Sequence, residues 1–377
     1  MLKKIILILC VIVVTFASNI YGTDNLKNEV IDKLDLNSML DSLEEYTKST
    51  NLDLYDISDN LISGQGLDYG IIGRFILEKL FLELRYGLKA GILILIVIIL
   101  LAIIKSLELE KDNSLSKVIN IVGYLIIVTM MLSNYTLVLK SFTTGINLIT
   151  SVVEIIAPFL LAVLIATGGT VTSGIIGPVI LFVTSLVGSM VTYIILPLLT
   201  LSLIIKIISG LSENIKLEGF AKMCGTSCMW VIAVIFALFL GVLELETSIT
   251  TSVDEVALKT AETAVSNLIP VVGKFVSDSL EVVMGASKII GKTVGVIGVI
   301  ILILISIIPI LKLVILRIIY FIVSCFAEML NADSKIVALT KGISEQYKTL
   351  LGVLIGVTVV FTIGFAIIIN LFGKVSM

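Results

Sequence analysis

The sequence predicts an all-α fold: a polytopic α-helical integral membrane protein with an N-terminal signal segment and a small helical extracytoplasmic module. Three observations predict it. Of the 377 residues, 58% are hydrophobic and only 15% charged, with a mean hydropathy of +1.15; a soluble domain of this length needs more polar surface. Between Lys140 and Lys206 there is a single charge, Glu154. In lipid, backbone groups must be hydrogen-bonded within helices or a closed barrel. The apolar runs are long and Leu/Ile/Val-rich, without period-two alternation, which selects helices. A net charge of −3 gives no basis for nucleic acid as a partner.

Taken in order, residues 1–22 read MLKKIILILCVIVVTFASNIYG. Two lysines before an apolar stretch and then small residues are the grammar of a signal peptide. Cleavage after Ala17 or Gly22, or an uncleaved anchor, are the alternatives. Residues 23–87 carry acidic residues with Leu and Ile at helical intervals, a small helical module outside the cytoplasmic membrane. Residues 88–245 hold a first group of about six spans: Leu88–Ile104, Val118–Leu137, Ile146–Ile165, Ile175–Tyr193, Ile194–Ile208 and Cys228–Leu245. Residues 246–293, Ser/Thr-rich with balanced charge, form an extracytoplasmic polar segment whose helices pack on the membrane surface. Residues 294–377 hold two or three further spans, within Val294–Leu311, Leu313–Ala327 and Leu350–Leu371. Lysines in the loops KSLELEKDNSLSK and SENIKLEGFAKM place both inside by the positive-inside rule. Past Lys312 the orientation stays open.

The chemistry of the chain is narrow. There is no histidine, which removes the commonest general base and the commonest metal ligand. Cys224 and Cys228 form C-x-x-x-C without a second pair, so they read as small apolar fillers and not as a zinc site. GASKIIGKT, residues 285–293, nearly spells a phosphate-binding loop. One residue too many separates its glycines, and a bilayer-length apolar run follows. The sequence therefore predicts no ATPase activity of its own, no catalytic residues, no metal and no cofactor.

What remains are possible intramembrane polar or pathway residues. Glu154 stands in an apolar run with Pro158 four residues on, where the proline frees the carbonyl of residue 154. Two readings follow: a polar kink lining a path, since a carboxylate in lipid seeks a partner or water, or a residue at the outer interface of a span that starts later. Pro178 and Pro197 also interrupt apolar stretches, as broken helices do where they line a cavity and as kinks do in ordinary bundles. Gly352 and Gly356 form G-x-x-x-G, a helix-packing signal.

Several stretches carry a resemblance: GTVTSGIIGPVILF (169–182), LPLLTLSLIIKIISGLSENIKLEGFAKM (196–223), SDSLEVVMGASKIIGKTVGVIG (277–298) and IVALTKGISEQYKTLLG (336–352). In these the sequence resembles the stage III sporulation protein AE family over essentially its whole length. The resemblance implies a non-enzymatic transmembrane component of a specialised secretion or channel-like complex linking mother cell and forespore. It implies support of late forespore gene expression, and placement in the mother-cell membrane around the forespore. Implied partners are other membrane proteins of the same operon, a separate ATPase, a forespore-side ring or channel protein across the intermembrane space, and the bilayer. The alternative is an autonomous secondary transporter with a site near Glu154.

Overall fold

The computed structural model describes residues 41–44, 69–107, 113–211, 217–268 and 272–374. The expected signal segment and most of the expected N-terminal module lie outside the described residues. Among the described residues the long elements are all helices. They are α1 (Tyr69–Leu107), α2 (Asn113–Ala166), α3 (Thr170–Met190), α4 (Leu196–Leu211), α5 (Glu218–Leu268), α6 (Val272–Met329) and α7 (Ser334–Lys374). A π-helical turn, Val191–Ile195, joins α3 to α4 into one rod. Six stretches are long and apolar enough to cross a membrane: Ile72–Ser106, Val118–Ala166, Thr170–Ser209, Gly219–Glu244, Ser287–Met329 and Ser334–Phe372.

The nine apolar runs of the sequence are thus carried by six rods. The breaks expected near residues 138–145 and at 312 are interior turns of α2 and α6. A lysine interrupts a hydropathy plot but not a helix, because Lys has good helix propensity. Lys312 lays its ammonium 5.2 Å from the centre of the Tyr86 ring on α1, a favourable cation–π position. Between the runs 175–193 and 194–208 the rod is kept by the π turn. The N–H of Leu196 reaches back five residues to Val191, just before Pro197, which has no N–H to give. Residues 69–87 are the first turns of α1. The polar segment 246–293 supplies the end of α5 and the start of α6.

The rods alternate in direction. One end of the bundle gathers the α6–α7 turn with the end of α1: Lys105 Nζ donates to Asn331 O at 3.1 Å. The α4–α5 junction lies at the same end, where Tyr124 on α2 donates to Ile207 O at 3.0 Å. The turn before α7 is written locally. Asn331 takes φ 51, the left-handed conformation Asn tolerates, and Asp333 Oδ1 accepts from Lys335 N at 2.9 Å as an N-cap. The opposite end holds the α2–α3 turn and the far reaches of α5. The helix ends that flank the expected inside loops therefore share one end, and the α6–α7 turn, open by sequence, joins them.

α6 is the central helix. It packs against α7 above all, then α2, α1 and α5. In its most apolar window 83% of residues are buried, against 28% for α1 and for α5. Close approach to α7 is made by Gly291, Gly295 and Gly298, which face Phe372, Ile369 and Phe365; small residues let membrane helices meet backbone to backbone. The phosphate-loop look-alike at 285–293 is therefore helix interior, with Gly291 seated against the Phe372 ring. In the same core the hydroxyls of Ser306 and Thr358 lie 3.0 Å apart, a polar tie between α6 and α7.

Candidate functional site

Glu154 lies on an exposed face of α2, and so does Pro158 one turn on. Pro178 on α3 and Pro197 on α4 are exposed as well. The outward placement follows from the helical repeat: Val152, Val153, Ile156, Ala157 and Leu160 fill the inward stripe of α2, which leaves 154 and 158 on the other side. The structure does not bring these four residues together around an internal path. Pro309 is the exception among the intramembrane prolines. It is buried in α6, where Gly145 of α2 comes so close that a Cβ would stand 2.9 Å from its ring. Gly352 and Gly356 lie where α7 meets α5. A Cβ at either would stand 2.8 Å from Met229 and 2.7 Å from Ile232 respectively. Cys224 and Cys228 are buried free thiols one turn apart, with Cys228 Sγ 3.2 Å from the Cys224 carbonyl.

What the fold does bring together is a polar seam between α4, α5 and α7. Gln346 Nε2 donates to Ser202 Oγ at 2.6 Å, and Ser202 Oγ donates to Ala221 O at 2.7 Å. One turn away Lys206 Nζ donates to Gly342 O at 3.1 Å. Gln346 and Ser202 are both about 1% exposed. Sequence reasoning passed over them, although the signal was present: Ser202 and Lys206 are four apart on α4, and Gly342 and Gln346 four apart on α7, so each pair lies on one face. The seam is continuous with a cleft of about 940 Å³.

The opposite end has a clasp. Asp254 of α5 is fully buried and accepts from Val171 N and Thr172 N, both at 2.9 Å. These N–H groups lie in the first turn of α3, whose N-cap residue, Gly169, offers no side-chain cap. An acidic side chain at a helix N-terminus meets both unpaired donors and the positive end of the dipole. Gly168, at φ 93, closes the α2–α3 turn beneath Leu258 of the same α5 extension.

Nearer the α6–α7 end of the bundle, Tyr347 of α7 stacks on Tyr135 of α2 (6.1 Å between centres) and meets Tyr320 of α6 edge-on (5.4 Å). All three hydroxyls are buried. Among the described residues no three His, Cys, Asp or Glu side chains come together in a way that could hold a metal ion.

Six bilayer-length helices among the described residues, four of them packed against a fifth, the buried apolar α6, and the set tied by sparse polar contacts, define a polytopic α-helical membrane protein. The chain belongs to the stage III sporulation protein AE family, whose model matches residues 52–371. It is 29% identical over 294 residues to the stage III sporulation protein AE of Bacillus subtilis (strain 168), covering 78% of this chain and 73% of that one. Membership ties the chain to sporulation. No solved structure matches it.

Proposed function

We propose that the chain is a non-enzymatic structural component of a channel-like secretion complex. It would sit in the mother-cell membrane around the forespore and support late forespore gene expression. Its partners would be other membrane proteins of the same operon, a separate ATPase, and a ring or channel protein facing it across the intermembrane space. Family membership supports the sporulation role.

The observation that favours an assembly component over a self-contained transporter is the placement of Glu154, Pro158, Pro178 and Pro197, all exposed on outer faces. A carboxylate on the outside of an apolar stretch is costly against lipid tails and is relieved against a neighbouring protein. The centre of the chain is meanwhile occupied by α6, a helix of closely packed apolar residues. Any path the complex offers would then run between chains.

Deletion in the sporulating host is the test. Engulfment is expected to finish while reporters of late forespore expression stay silent; normal spores would overturn the reading. Glu154→Gln refines it. The substitution is expected to leave the protein level unchanged and to weaken co-purification of the operon's membrane proteins. Loss of sporulation with an intact complex would move the transporter reading, with Glu154 as proton carrier, to first place.

A further inference from the structure

The cleft beside the polar seam has a composition the bundle's core lacks. Lys206, Lys222, Lys335, Lys341 and Lys348 line it, against one acid, Glu345. Lys222, Lys341 and Lys348 are exposed, and Lys206 is held in place by Gly342 O. At its floor Gln346 uses its amide N–H on Ser202, while its Oε1 is buried with no donor among the described residues. Such an acceptor calls for an outside donor, because a buried carbonyl left unmet loses the hydrogen bond water would have given it.

The surroundings say where the donor comes from. Just past Lys222 the sequence is free of charge from Met223 to Leu243, and just past Lys348 from Thr349 to Gly373. At 1.5 Å per residue these runs span about 30 Å or somewhat more, the thickness of a hydrocarbon core. Two of the cleft's lysines, Lys222 and Lys348, therefore sit where two apolar runs begin. Met229 lines the cleft and Trp230, beside it, is 67% exposed, about 12 Å along α5 from Lys222, at a depth acyl chains reach. A strongly cationic pocket at the edge of an apolar surface, with a buried acceptor at its floor, matches one chemistry: an anionic phosphodiester that also carries a hydroxyl and is followed by acyl chains.

We propose that the cleft between α4, α5 and α7 is a binding site for an anionic phospholipid with a hydroxyl-bearing headgroup, of the phosphatidylglycerol class. The lysines take the phosphate, and the headgroup hydroxyl donates to Gln346 Oε1. The acyl chains run along Met229 and Trp230. The site does not depend on the secretion-complex reading, because it is built within one chain.

The test is native mass spectrometry of the full-length protein in detergent, titrated with phosphatidylglycerol, phosphatidic acid, phosphatidylcholine and inorganic phosphate. Phosphatidylglycerol is expected to bind best and phosphatidylcholine at background. The triple variant Lys222→Gln, Lys341→Gln, Lys348→Gln alters only exposed side chains and is expected to unfold at the parent's temperature. It should lose phosphatidylglycerol affinity roughly a hundredfold. A control pair remote from the cleft, Lys89→Gln and Lys140→Gln, should leave binding unchanged. Gln346→Met should reduce the preference for phosphatidylglycerol over phosphatidic acid about threefold or more. Equal binding of phosphatidylcholine, an unaltered triple variant, or saturation by inorganic phosphate in place of the lipid would each overturn the proposal. So would capture of an acidic peptide that phosphatidylglycerol vesicles fail to displace.

Discussion

Gly168 can be replaced by no other residue at low cost. Its φ of 93 is a region L side chains avoid, and a Cβ there would stand 2.5 Å from Leu258. Gly168→Ala is therefore expected to destabilise the protein by about 1–3 kcal/mol, read as a lower melting temperature of the detergent-solubilised protein. Asp254 belongs to the same clasp. Asp254→Ala leaves the N–H groups of Val171 and Thr172 unaccepted in a buried place, at a cost of about 1–2 kcal/mol. Asp254→Asn keeps an amide oxygen for one of them and should fall between the two. If alanine and aspartate melt together by size-exclusion thermostability, the contact contributes nothing to the fold. The residue is hard to find from sequence. Asp254 stands in a Ser/Thr-rich segment among other charges, and nothing local says that its partners lie 82 and 83 positions earlier.

At the scale of the element, the helices meet through glycine. Gly295→Leu would drive a branched side chain into Ile369 and part α6 from α7. Gly352→Leu would push Met229 of α5 away from α7. The first is expected to be the more damaging, because α6–α7 is the largest helix–helix contact of the chain. Steady-state protein levels in the membrane fraction check the order, with Gly174→Leu, where nothing lies within 4 Å, as the tolerant control. Helical class, membrane character and the G-x-x-x-G of α7 could all be read from composition and spacing. A second G-x-x-x-G, Gly291 and Gly295, was equally present but obscured by its likeness to a nucleotide loop. Rod lengths could not be read, because hydropathy registers Lys140 and Lys312 as boundaries while the backbone passes through them. Nor could facing be read where nearly every side of a helix is apolar. The outward turn of Glu154 and the inward turn of Gln346 are set by tertiary packing, which neither residue's neighbours in sequence announce.

For the whole molecule, the alternation of rods sets which ends share a side. Asn331, in the α6–α7 turn, lies with Lys105 at the end of α1. Val256, 65% exposed on the α5 extension, lies with the α2–α3 turn at the other end. With the native cysteines replaced, Asn331→Cys and Val256→Cys are expected to react with an impermeant maleimide from opposite faces of the membrane. Labelling of both from one face would require a different threading of α5 or α6. The cationic end, which includes Lys105, Lys206, Lys335 and Lys341, is expected inside, so Asn331→Cys should label only in inverted vesicles.

The centrality of α6 also sets an order of assembly. Ribosomes deliver α1 through α5 first, and α1 and α2 each find their largest partner in a helix not yet made. Until α6 emerges, the apolar stripes meant for it face only lipid, and the four earlier rods have no shared axis to close around. The bundle is then completed by a late insertion, a rod threaded into the middle of helices already in the bilayer, with α7 following to lock it through Gly291, Gly295 and Gly298. Chains interrupted after α5 would leave that gap open in the membrane, a form quality-control proteases can recognise by its unclosed centre.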